Sequence, residues 1–156
     1  FPDTTNPEAM IILYNRLASI YIYQDYYSKA KNSLYKAISY GSLDASGWYQ
    51  LARSHNELDE WHEAKKAAER SLELDENYLY GIAELARAYE GLEDYDNALI
   101  HFNKAIEINP TNQDAFFNRG LNQILINEKE RGCEDLRKAS EMGHKQAAQL
   151  IKEYCN

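Results

Sequence analysis

The chain has 156 residues, 44% of them hydrophobic and 27% charged, with a net charge of −8 at neutral pH. That is enough for one ordinary domain and too apolar for a disordered one, and no apolar run approaches the roughly 20 residues that span a bilayer. The acidic surplus is concentrated in residues 45–78, where eight acidic residues outnumber four basic ones, and in 79–112, where six outnumber two; such a middle repels a phosphate backbone, which excludes nucleic acid as the expected partner and suits a partly basic protein or peptide.

Residues 1–7 hold two prolines and no helical period, and are expected to form an extended leader. The start at Phe1 rather than Met points to an excised or processed piece of a longer parent. From residue 8 onward the chain repeats itself at an offset of 34: Leu17, Leu51 and Leu85 share one register, Tyr27, Trp61 and Tyr95 a second, Ala30, Ala64 and Ala98 a third. A fixed period of this length means stacked supersecondary units.

The second unit shows the pattern. Trp48, Leu51, Ala52 and His55, three or four apart, mark one face of a first helix. A polar turn from Leu58 to Trp61 follows, then a second helix with Ala64, Ala68 and Ser71 on one face. The third unit repeats this with Ile82, Leu85, Ala86 and Tyr89, then Tyr95, Ala98, Phe102 and Ala105, and Pro110 ends it because proline cannot continue a helix. The units are drawn at 8–44, 45–78, 79–112 and 113–143, with a last helix over 144–156 that uses Ala147, Ala148, Leu150, Ile151 and Tyr154 to cover the end of the array. The alanines have a mechanical reason: two antiparallel helices approach closely only where the crossing point lacks bulk.

These residues resemble the tetratricopeptide repeat, a helix–turn–helix unit of 34 residues. The first unit matches with Tyr14, Leu17, Ala18, Tyr21, Ala30, Leu34 and Ala37, the second with Trp48, Leu51, Ala52, Ala64 and Ala68, the third with Leu85, Ala86, Tyr89, Ala98, Phe102, Ala105 and Pro110. The fourth begins with Phe116 and Gly120 and departs at Gln123, Gly132 and His144. The tail is similar to the ends of some bacterial members of the family. The resemblance implies an all-α, right-handed superhelix of antiparallel hairpins, with a concave face built mainly by the first helix of each unit. Mapped here, that face takes Asn15, Arg16, Ser19 and Tyr23, then Tyr49, Gln50, Arg53 and Glu57, then Tyr80, Glu84, Arg87 and Glu90, then Asp114, Phe117, Asn118 and Leu121. Some members grip chaperone C-termini with lysine and asparagine at set positions. Here Asn15, Ser19 and Tyr49 stand there and the lysine is missing, so a chaperone carboxylate clamp is not expected.

Little else carries chemistry. The only cysteines, Cys133 and Cys155, flank a turn near Gly143 at similar distances, so antiparallel helices bring them to one level. Either they form a disulfide, which stabilises by about 3 kcal/mol for a loop of this size and implies an oxidising compartment, or they are two free thiols. Localisation therefore stays open between cytoplasmic and extracytoplasmic. His55, His62, His101 and His144 lack zinc-ligand spacing, and His55 is expected at the edge of the core. The acid pairs Asp59-Glu60 and Glu93-Asp94 are expected to cap helix starts rather than to act as acid and base. With no phosphate loop or nucleophile motif, no catalytic residue, cofactor or metal is expected.

The expectation is therefore a non-enzymatic interaction module. A peptide or helix of a partner would lie in the groove against Tyr23, Tyr49, Tyr80 and Phe117, with Arg16, Arg53, Arg87, Glu84 and Asn118 setting its orientation. Two other classes remain open. One is a self-assembling module, a possible homodimer, that positions another domain of a longer parent; the other is a small-ligand sensor in an aromatic groove.

Overall fold

The computed structural model describes residues 6–155, and all regular structure among them is helical. The helices are α1 (Pro7–Tyr23), α2 (Tyr27–Tyr40), α3 (Ala45–Asn56), α4 (Trp61–Leu74), α5 (Leu79–Gly91), α6 (Tyr95–Ile108), α7 (Gln113–Leu125), α8 (Lys129–Glu141) and α9 (Ala147–Tyr154). They pack as hairpins, α1 on α2, α3 on α4, α5 on α6 and α7 on α8. Each hairpin stacks on the next through α2–α3, α4–α5 and α6–α7, and α9 lies on α8. Asn6 and Pro7, drawn into the leader of 1–7, belong to the start of α1 instead: the Asn6 side chain accepts from the backbone N–H groups of Glu8 and Ala9, and Pro7 occupies the first turn, where no amide is needed. The rest of that leader lies outside the described residues.

Every hairpin reverses at the same register. Asp25, Asp59, Glu93 and Asn127, 34 apart, all hold left-handed backbone with φ between 58° and 67°. Behind each, the next amide donates to a carbonyl five residues back: Tyr26 to Tyr21, Glu60 to His55, Asp94 to Tyr89 and Glu128 to Gln123, at 2.7–2.9 Å. These bonds close the last turn of the first helix and aim the chain back along it. They also revise the reading of the acid pairs. Asp59 and Glu93 are turn residues rather than caps. Asp94 does cap α6, accepting from the Asn97 amide at 3.3 Å, but the Glu60 side chain makes no capping bond and is spent elsewhere.

The hairpins close on small residues. Ala18 and Ala30, Ala52 and Ala64, and Ala86 and Ala98 are all fully buried. In the fourth hairpin the pair is Gly120 and Gly132, and the approach is closer: a Cβ on Gly132 would stand 2.6 Å from the Gly120 carbonyl oxygen. The glycine that departs from the repeat pattern thus has a steric reason, and α8 is a continuous helix of 13 residues around it. Larger residues fill the space between, with Leu34, Leu51, Ile82, Phe102 and Leu136 essentially inaccessible. At the far end α9 buries Ala147 against Phe116 and Ala139, and a Cys133–Cys155 disulfide, with Cα atoms 5.6 Å apart, ties it to α8.

Two substitutions test these constraints. Gly132→Ala should destabilise by about 1–3 kcal/mol through backbone overpacking, read as a lower urea midpoint at unchanged slope. Glu93→Gly should stabilise by about 0.5–1 kcal/mol, because glycine holds left-handed backbone without the Cβ penalty; a lower midpoint would refute the turn assignment.

Candidate concave groove

The first helices of the units share one face, and two clefts open on it. The first, about 390 Å³, lies between α1 and α3 and is lined by Ser19, Ile22, Tyr23, Asp25, Tyr49, Gln50 and Arg53. The second, about 360 Å³, lies between α5 and α7, and Tyr80, Ala83, Phe102, Asp114 and Asn118 are among its walls. Between the two stands a cluster of three tyrosines. The Tyr49 ring is 5.9 Å from that of Tyr78 and 5.4 Å from that of Tyr80, and Tyr78 lies 5.8 Å from Tyr80. Rings at these separations support one another while leaving Tyr80 60% exposed.

Tyr78 was not singled out from the sequence, although the repeat contains a signal for it. Positions 44, 78 and 112 are equivalent, and Asp44 and Asn112 cap their helices with bonds of 2.7 and 3.1 Å to backbone amides. Tyr78 makes no capping bond. The third unit gives up a cap worth about 1 kcal/mol and puts an aromatic ring in the groove.

The predicted residues fall into three groups. Tyr23, 90% exposed, Tyr49 and Arg53 meet at the first cleft, and Tyr80 and Asn118 at the second. Arg53 is half-buried and its Nη1 donates to the Tyr49 hydroxyl at 3.5 Å. Burial opposes its charge, but the Tyr49 and Tyr27 hydroxyls and the field of Glu84 offset this and hold its pKa above the usual value. Its guanidinium is therefore charged at the cleft wall. Arg16 stands exposed on α1, outside both clefts.

Three residues, Glu84, Arg87 and Phe117, do not face a ligand in the way expected. Glu84 is buried, accepts from Asn56 Nδ2 at 2.8 Å, and is joined by Arg87 Nη1 at 3.3 Å. Arg87 also donates to Glu57 at 3.0 Å, so this network braces the α3–α5 contact rather than orienting a partner. Phe117 is half-buried under the His144 ring, 4.0 Å between centroids, because the α8–α9 turn folds over it.

Three further polar residues are tied together at the rim of the first cleft. Ser19 Oγ donates to Gln50 Oε1 at 2.9 Å, and Gln50 Nε2 donates to Asn15 Oδ1 at 3.4 Å. On another face, His55 is 3% exposed and sits between Tyr35, whose hydroxyl is 3.0 Å from Nε2, and Glu60, 2.6 Å from Nδ1. Burial lowers the His55 pKa despite Glu60, and the neutral ring with its proton on Nδ1 satisfies both bonds. Lys31 donates to both Glu60 oxygens, at 2.6 and 2.7 Å, which is where the carboxylate that leaves α4 uncapped is used. Among the described residues no group of three or more His, Cys, Asp or Glu side chains could hold a metal ion, and no helix is long and apolar enough to cross a membrane.

One buried carboxyl is testable by pH. Burial raises the Glu90 pKa, and the hydrogen bond from Asn122 Nδ2 at 2.8 Å only partly offsets it. Asn122 is fully buried and its Oδ1 has no partner. A carboxyl with a raised native pKa contributes stability that is complete below its ordinary range and is lost as pH rises through the raised value. Glu90→Gln should therefore stabilise the chain at pH 7, by about 1 kcal/mol, since the amide can both accept from Asn122 and donate to it. The advantage should shrink on acidification toward the usual carboxyl range; an advantage that grows at low pH would refute it.

Comparison with known proteins places this geometry. A family model described as the tetratricopeptide repeat matches residues 82–112, and a second with the same description matches 11–40 and 45–78. Hsp70-Hsp90 organizing protein 2 of Arabidopsis thaliana is 28% identical over 108 residues; the match takes in 68% of this chain and 19% of that protein's length. Among solved structures, YrrB, described as a TPR protein with an unusual peptide-binding site, superimposes with a TM-score of 0.82 at 25% identity over 96% of this chain and 76% of its own. MamA superimposes with a TM-score of 0.78 at 24% identity, over 94% and 83%.

Proposed function

This chain belongs to the tetratricopeptide repeat family, whose repeats serve as protein–protein interaction modules, and from that premise we propose that it is a non-enzymatic docking module that holds a peptide or a helix of a partner in its concave groove. The observation that carries this reading is the pairing of exposed aromatic area with one charged donor: Tyr49, Tyr78 and Tyr80 packed ring to ring, and Arg53 at the edge of that cluster beside the first cleft. Tyrosine and arginine dominate binding hot spots because each buries much area at low entropic cost and still makes hydrogen bonds. The binding residues in this proposal are Tyr23, Tyr49, Arg53, Tyr78 and Tyr80, with Asn118 at the second cleft.

YrrB offers a precedent for peptide binding on this fold. The Arabidopsis relative is named for Hsp70 and Hsp90, but chaperone C-termini are not the ligand proposed here. Asn15 and Ser19 are bonded through Gln50 into a neutral chain, and neither position offers a cation to a terminal carboxylate.

The test is capture from extracts of the source cells, with the double variant Tyr49→Ala/Arg53→Ala beside the wild type and bound proteins identified by mass spectrometry. Loss of hot-spot contacts worth about 2 kcal/mol should weaken the captured partner on the order of 30-fold, while thermal melting shows the variant folded. Equal capture by both chains would remove the groove from consideration.

A further inference from the structure

We propose that the first cleft receives one acidic side chain, an aspartate or glutamate in the middle of the partner's bound segment, and that Arg53 is the group that pairs with it. This rests on the groove reading above and adds to it the charge that the ligand brings.

The repeat register is the reason. Arg53 and Arg87 are equivalent positions on successive first helices. Arg87 is neutralised twice: its Nη1 donates to Glu57 at the end of α3, at 3.0 Å, and to Glu84 on its own helix, at 3.3 Å. Moved back by one unit, the position of Glu57 is Tyr23 and that of Glu84 is Gln50. Both carboxylates are thus missing at Arg53, and both replacements are neutral. Gln50 does not compensate, because its Oε1 accepts from the Ser19 hydroxyl at 2.9 Å and its Nε2 donates to Asn15 at 3.4 Å. Among the described residues Arg53 forms no ion pair, and its partners are the hydroxyls of Tyr49, at 3.5 Å, and Tyr27. A half-buried guanidinium without an anion has lost part of its hydration and gained no ion pair in return. A carboxylate entering the cleft supplies that partner, and the planar fork of the guanidinium fits it.

The rest of the cleft suits a single carboxylate. Tyr49 accepts from Arg53 and keeps its own hydroxyl proton to donate, and Tyr23, 90% exposed, brings a second hydroxyl to the same cleft. Among the described residues that line it, the one carboxylate is Asp25, which sits at the turn after α1 and accepts from the Tyr27 hydroxyl at 2.7 Å. The wider field limits the ligand. Residues 45–78 hold eight acidic side chains against four basic, so a segment acidic throughout is repelled, and one acidic residue among neutral or basic ones is drawn in. A side chain fits better than a chain terminus, because α3 lies between α1 and α5 and aromatic area continues on both sides of Arg53, with Tyr23 before it and Tyr80 after.

The probe is a displayed library of random dodecapeptides, held at both ends so that no terminal carboxylate is free. Peptides selected on the wild-type chain should share an acidic residue at one position, and those selected on Arg53→Gln should not. The strongest binder is then synthesised with blocked ends and measured by fluorescence anisotropy. Replacing its acidic residue by the amide should weaken binding to the wild type on the order of tenfold and to Arg53→Gln by less than about twofold. The variant Tyr23→Glu/Gln50→Glu, which gives Arg53 the two carboxylates that Arg87 has, should lose the preference with Arg53 intact. Equal binding of the acid and amide forms by the wild type overturns the assignment, as does an acid preference that survives Arg53→Gln. If Tyr80→Ala still abolishes binding in that case, the groove reading stands without this site. Peptides bound equally by the wild type and Tyr80→Ala, or a library that yields no binder, would overturn both. A phosphoserine form that binds more tightly than the acid form would replace the carboxylate by a phosphate.

Discussion

Everything in this molecule hangs on four places where two helices nearly touch. Ala18 with Ala30, Ala52 with Ala64, Ala86 with Ala98 and Gly120 with Gly132 remove the side-chain bulk that would hold the helices of a hairpin apart. Only then do Leu34, Leu51, Ile82, Phe102 and Leu136 pack out of reach of water, and only then does the left-handed residue two positions before each second helix suffice to turn the chain. The hairpins stack because their crossing points recur at one interval. The groove is a by-product of that stacking, lined by the side of the first helices that no neighbour covers.

The division of labour among charges follows from the same geometry. Residues on the first helices that point toward the neighbouring unit are drawn into buried networks, as with Asn56, Glu84, Arg87 and Glu57 between α3 and α5, or Asn122 with Glu90 between α5 and α7. Other residues of the same face remain at the cleft walls, as with Tyr49, Arg53 and Tyr80, and Arg53 shares its repeat register with Arg87. What separates a side chain that stiffens the array from one that can meet a partner is the group the neighbouring unit sets against it, as Glu57 and Glu84 are set against Arg87.

That dependence on neighbours decides what the sequence reveals. The alanine, leucine and aromatic registers are periodic, so hairpins, turns and crossing points are legible from spacing alone, and the all-helical superhelix follows. Glu84 was misplaced because its burial depends on Asn56, 28 residues away in another unit, and periodicity does not report which neighbour a polar side chain will find. Phe117 was misplaced because the turn after α8 brings His144 over it, a contact outside the repeating pattern. Tyr78 was overlooked because it occupies a capping position, and only comparison with Asp44 and Asn112 exposes it as an exception.

The tether between Cys133 and Cys155 has a consequence for how the molecule comes apart. In a linear array each unit is held by its neighbours, so the ends, with one neighbour each, open first. Here the two ends are not alike. The bond spans 22 residues and keeps α9 beside α8 even when their packing loosens, so the C-terminal end recloses quickly after any local opening. Among the described residues the first hairpin, α1 with α2, has no such restraint. Within the described residues, a thermal ratchet or an unfolding machine that pulls α9 away from α8 would therefore meet more resistance than one that pulls α1 from α2.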